Sequence, residues 1–146
     1  PPRREREFIG LLLHCPQYIR AAADELDIES LESTACRTLL QALYDHFPNV
    51  DSIDLSLLID YVQEEHLGRL VSECAMFGFS EEQVNEQWKQ SLSFFQRNAL
   101  QRRIMTTRQA LSQAEQSGND DEVLRLSGEL VQLNRERQRH AEAQTS

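Results

Sequence analysis

The strongest constraint on this chain is a short break near its end, Ser117-Gly118-Asn119-Asp120, with matched apolar repeats on both sides. Before it, Leu100, Ile104, Leu111 and Ala114 recur at helical spacing; after it, Val123, Leu126, Leu130 and Leu133 recur at intervals of three, four and three. Two such stripes facing each other make an antiparallel helical hairpin. Gly118 suits the left-handed position that ends a helix, and Asn119, three residues before Glu122, can cap the next one. Acids Asp120 to Glu122 at the start of the second helix and Arg135, Arg137 and Arg139 towards its end both complement its dipole. Beyond His140 the chain is expected to fray.

The remainder also reads at helical period. Arg3 to His14 places Phe8, Leu11 and Leu12 on one side. Gly10 interrupts that segment, which is tolerable where a neighbouring helix crosses closely, and Pro16 stops it. Tyr18 to Leu26 supplies a second helix. Thr34 to Phe47 supplies a third, with Leu39, Leu40, Leu43, Tyr44 and Phe47 inward. Asp54 can cap a fourth, with Leu57, Leu58, Tyr61 and Val62 on its buried side, and His66 to Met76 forms a fifth. Ser80-Glu81-Glu82-Gln83 is a capping-box sequence opening the longest pattern, which carries Val84, Trp88, Leu92, Phe95 and Ala99 on one stripe and continues to Gly118. Some 35 residues at 1.5 Å each would reach roughly 50 Å, so its first half should close a bundle and its second should project. Period-two alternation is missing. The expected fold is all-α: a compact helical bundle over residues 1–98, then a long helix and a C-terminal antiparallel helical hairpin over 99–146.

Composition narrows function by exclusion. The chain has 146 residues, 40% of them hydrophobic, enough for one moderate domain or a small domain with an appendage. Leu11-Leu12-Leu13 is too short to span a bilayer and no signal-peptide pattern surrounds it, so a cytoplasmic protein is expected. Fifteen basic against 24 acidic residues give a net charge of −9, unlike a sheath for nucleic acid. Six arginines and 14 acids before residue 80 make −8, and nine basic against ten acidic residues after it make −1. Arg97, Arg102, Arg103 and Arg108 lie in an acid-free stretch, read as a solvated face or as a contact for an acidic partner or DNA.

No reactive constellation emerges. Cys15, Cys36 and Cys74 lack redox or zinc spacing and read as buried free thiols. His14, His46, His66 and His140 show no metal pattern. Asp24, Asp27 and Glu29, or Asp51 and Asp54, could form acidic surfaces, but paired carboxylates suggest hydrolysis only where a pocket perturbs them. Trp88 with Phe94-Phe95 reads as bundle core before base-stacking surface. Leu124 and Val131 are left over. They share a face offset by roughly a quarter turn from the Val123–Leu130 seam, and they either widen that seam, stand singly exposed, or form an outward strip for a partner.

Two segments carry a family resemblance. Arg102-Arg103-Ile104 through Ala114-Glu115-Gln116-Ser117-Gly118-Asn119-Asp120-Asp121-Glu122-Val123-Leu124-Arg125-Leu126, ending in Glu129-Leu130-Val131-Gln132-Leu133-Asn134-Arg135-Glu136, resembles the C-terminal helicase-interaction domain of bacterial DNA primases. Glu7-Phe8-Ile9-Gly10-Leu11-Leu12-Leu13-His14-Cys15-Pro16 resembles the first bundle helix of that family, and also the N-terminal domain of the replicative helicase. The resemblance implies a non-catalytic module whose hairpin docks on the N-terminal collar of the replicative helicase, recruits primase for RNA primer synthesis and influences helicase activity. Carried onto this chain, the docking residues are Leu124, Arg125, Leu126, Glu129, Leu130 and Val131. The zinc and magnesium of such primases belong to zinc-binding and polymerising domains whose motifs are absent here, so no cofactor and no primer synthesis are expected of this fragment, and the isolated domain is expected to be monomeric. The alternatives are a helicase N-terminal oligomerisation domain and a DNA-binding accessory module using the arginine stretch.

Overall fold

Why each helix begins and ends is visible in a computed structural model of the protein, which describes residues 1–145. Helix α1 (Arg3–His14) runs into a 3₁₀ turn at Pro16–Tyr18, followed by α2 (Ile19–Glu25) and a second 3₁₀ turn at Ile28–Ser30. Then come α3 (Thr34–His46), α4 (Leu55–Val62), α5 (Glu65–Ala75), α6 (Glu81–Ser117) and α7 (Asp120–Thr145). The fold is all-α, without strands among the described residues. It divides into two units, Pro1–Phe95 and Gln96–Ser146. No helix among the described residues is long and apolar enough to cross a membrane.

The first unit is a bundle around α1, whose Phe8, Ile9, Leu11 and Leu12 are fully buried against Leu39, Leu40 and Leu43 of α3 and Val71 and Cys74 of α5. At Gly10 the backbone of α5 comes close to α1: a Cβ there would lie 2.4 Å from the Cys74 carbonyl oxygen. Nearby, His14 Nε2 lies 2.8 Å from the carbonyl oxygen of Ala75, tying the end of α1 to the end of α5. Glu5 is buried, and its two carboxylate oxygens accept from the amides of Glu32 and Ser33 at 2.9 and 3.0 Å. Helix α1 thus supplies an anion to the start of α3, where free amides and the helix dipole favour one. Ser33 Oγ accepts from the Cys36 amide as the local cap, and Asp54 does the same for the first turn of α4.

The first part of α6 contributes Val84, Trp88 and Phe95 to this core. Trp88 stacks on Tyr18 and Phe8 with centroids 4.9 and 6.1 Å apart, and Phe8 meets Phe95 at 5.1 Å. These rings are interior packing, so they offer no platform for bases.

Three expectations need correction. On α4 the buried side is Leu58, with Leu55, Ile59 and Val62 packed partly against the core, while Leu57 and Tyr61 are exposed. Leu58 and Val62 face inward as the spacing predicts, but the stripe runs on to Leu55 and Ile59 in place of Leu57 and Tyr61. Tyr61 instead stacks flat on His46, 3.9 Å between centroids. Tyr18 belongs to the 3₁₀ turn that Pro16 opens, so α2 starts one residue later. Helix α7 continues past His140 to Thr145, since Ala-Glu-Ala-Gln offers nothing that breaks a helix.

Candidate docking face on the terminal hairpin

The hairpin is set by its turn. Gly118 has φ +69°, a conformation that side chains with a Cβ resist. Its amide donates to the Glu115 carbonyl at 3.3 Å, and the Asn119 amide donates to the Ala114 carbonyl at 3.0 Å, the paired bonds of a Schellman ending. Asn119 then acts for the next helix: its Oδ1 accepts from the Glu122 amide at 3.3 Å. Two residues therefore close one helix and open the other.

Leu100, Ile104, Thr107 and Ala114 are buried on α6, and Leu126 and Leu133 on α7. Leu100, Ile104 and Leu133 form one cluster with Leu130 packed against it, while Leu111 and Val123 are half-buried. Thr107 completes the stripe at the 3-4 interval between Ile104 and Leu111. An apolar-only reading passes over it, although its position was there to be counted. Asn134 donates from Nδ2 to the Leu130 carbonyl at 3.0 Å, and its Oδ1 is buried without a partner.

Of the six residues the resemblance nominates, the fold separates two kinds. Leu126 is buried at 4% exposure and Leu130 packs in the seam, so both close the hairpin and neither lies on its outer face. Leu124 at 77% and Val131 at 49% exposure stand outside. Gly128 lies exposed between them on the same face. Arg125 is clamped between neighbours, donating to both oxygens of Glu122 and reaching Glu129 Oε2 at 3.4 Å. Donation from Arg125 holds the Glu122 carboxyl below its usual range, so Glu122 stays ionised and the arginine stays aimed along the helix. The result is an apolar strip with an ordered charged border.

Other candidate chemistry does not assemble. No group of three or more His, Cys, Asp or Glu residues is placed to hold a metal among the described residues. Cys36 and Cys74 are buried and Cys15 half-buried; burial pushes all three thiols upwards, Cys74 to about 12, away from nucleophilic reactivity. An open cleft of about 930 Å³ between α4 and α5 is lined by Asp60, Glu64, Glu65 and Glu73 with Arg69. Ser72 in its wall donates to the Gly68 carbonyl at 3.2 Å, so its hydroxyl proton is committed to the helix backbone. In the arginine stretch, Arg97, Arg103 and Arg108 are exposed and Arg102 is half-buried, with Arg97 and Arg102 also holding interactions within the chain. No family model matches the chain, and no curated protein or solved structure matches it either.

Proposed function

We propose that the chain is the helicase-binding module of a bacterial DNA primase: a cytoplasmic, non-catalytic domain that binds the N-terminal region of the replicative helicase. The observation that carries this reading is the outward pair Leu124 and Val131 on α7, a helix whose Leu126, Leu130 and Leu133 are spent on closing the hairpin. The resemblance over residues 102–136 names the occupant. Burying an exposed Leu or Val side chain contributes about 1.5–3 kcal/mol, so two anchors give a modest grip, while the charged border sets register and speeds encounter.

Such a module works by tethering. Binding to the helicase raises the local concentration of the attached polymerising domain at the fork, where primers are laid down, without any chemistry of its own. The bundle, joined to the hairpin through α6, acts on helicase activity. The test is a calorimetric titration of the chain with the N-terminal region of a replicative helicase. Saturable binding with the bundle still folded is the expected result, and its absence refutes the assignment. Stable self-assembly in dilute solution would instead favour a helicase oligomerisation domain, and tight, salt-dependent binding of DNA an accessory module using Arg97, Arg102, Arg103 and Arg108.

A further inference from the structure

Gly128 has no role within its own chain. A Cβ added there would meet nothing within 4 Å, and its φ is not in the left-handed region. Glycine inside a helix is less stable than alanine, so an exposed mid-helix glycine with open space marks a place where another backbone can approach closely. At 100° per residue, Asp121, Leu124, Gly128, Val131 and Arg135 fall within one arc of about 80° on α7. All five are exposed. Arg125 beside them is committed to Glu122 and Glu129, but Asp121 and Arg135 make no ion pair among the described residues.

The arrangement is symmetric about the glycine. Asp121 precedes Gly128 by seven residues and Arg135 follows it by seven; Leu124 precedes it by four and Val131 follows by three. Laid antiparallel with glycine against glycine, two copies of α7 bring Asp121 of each opposite Arg135 of the other and Leu124 against Val131. We propose that this face forms a two-fold contact with a second copy of the chain. A self-complementary face is what an isologous contact requires, and the opposite charges at its two ends oppose a parallel alignment.

The contact is small. From residue 121 to 135 a helix advances about 21 Å, and one helix pair of that length falls short of the roughly 1,200 Å² that stable interfaces bury. Association is therefore weak, absent in dilute solution and present where copies are concentrated. Because Leu124 and Val131 serve both contacts, self-association withholds the strip from a helicase; that consequence alone rests on the proposed function.

Sedimentation equilibrium on the whole chain, without any partner and up to millimolar concentration, tests the contact. The wild-type mass should rise towards twice the monomer. Asp121→Lys alone and Arg135→Asp alone should each weaken association by roughly tenfold or more, since each places like charges at both ends. An equimolar mixture of the two variants should associate again, because every 121–135 pair once more joins opposite charges. Gly128→Gln, which favours the helix, should abolish association while circular dichroism shows helix content kept or raised. A wild-type chain monomeric throughout, single variants that associate undiminished, or a mixture that stays monomeric would each overturn the proposal.

Discussion

Replacing Gly10 with alanine should destabilise the bundle although alanine is the better helix former. The added Cβ would sit 2.4 Å from the Cys74 carbonyl oxygen and 3.4 Å from Phe77 Cβ. An ordinary carbon–oxygen contact is about 3.3 Å, so α1 and α5 must part by about 0.9 Å. The obstacle is backbone, with no rotamer to swing aside. Separation also strains the 2.8 Å contact between His14 Nε2 and the Ala75 carbonyl. Overpacking of this kind costs about 1–3 kcal/mol, and the upper end applies to a rigid carbonyl. Against it stands a gain of about 1 kcal/mol in helix propensity, leaving a net loss of about 2 kcal/mol. Trp88, the only tryptophan, is buried between Tyr18 and Phe8, so its fluorescence follows this unit in urea. Gly68→Ala, on α5 of the same unit, where an added Cβ would meet only Ile59 Cγ2 at an ordinary 3.4 Å, controls for propensity and should not lower the Trp88 transition. A Gly10→Ala midpoint equal to or above wild type would refute the close crossing.

Three further outcomes follow from the same geometry. Gly118→Ala should cost the hairpin about 1–2 kcal/mol because of its positive φ, read as earlier loss of helix by circular dichroism with the Trp88 transition unchanged. Glu5→Gln should lower the stability read from the Trp88 urea transition by about 1–3 kcal/mol, because the NH2 that replaces one oxygen would face the Glu32 or Ser33 amide donor to donor; a Gln variant as stable as wild type would show that the buried carboxylate is not needed. Burial raises Cys74 from 9.0 to about 12, and Cys36 and Tyr44 shift upwards for the same reason. Their stabilisation is complete below pH 9 and is lost as pH rises towards 12, where the unfolded chain sheds protons that the folded chain still holds. Urea midpoints measured across that range should fall, and Cys74→Val should flatten the decline; a flat wild-type profile would contradict it.

Much of this architecture was legible because helical signals are local. Arg3 to His14 is bounded by Pro16, and the hairpin turn by Gly118 and Asn119, residues whose own conformational preferences decide the matter. Gly10 already implied a close crossing, but only packing shows that α5 is the helix that crosses. The errors arose where tertiary context decides. On α4 two turns of mostly apolar residues cannot announce which stripe faces inward, so the spacing alone puts Leu57 and Tyr61 inside although both are exposed. Glu5 reads as one charge among many in Arg-Arg-Glu-Arg-Glu until α3 is seen to start against it. At the candidate face, heptad counting separates Leu124 and Val131 from the seam, whereas the resemblance nominates Leu126 and Leu130 too, which the fold places in the seam. Gly128 and Thr107 escaped notice because an apolar pattern counts neither glycine nor threonine.

The central claim is that the outer face of α7 is the docking surface, and one titration tests it directly. The N-terminal region of a replicative helicase is titrated with the wild-type chain, with Leu124→Asp plus Val131→Asp, and with Met76→Asp, which alters an 85% exposed apolar residue of the bundle. Losing two apolar anchors and introducing two charges to be desolvated should weaken binding by about 100-fold or more, with circular dichroism unchanged, while Met76→Asp binds as wild type. Equal affinity for the double variant and the wild type would contradict the account.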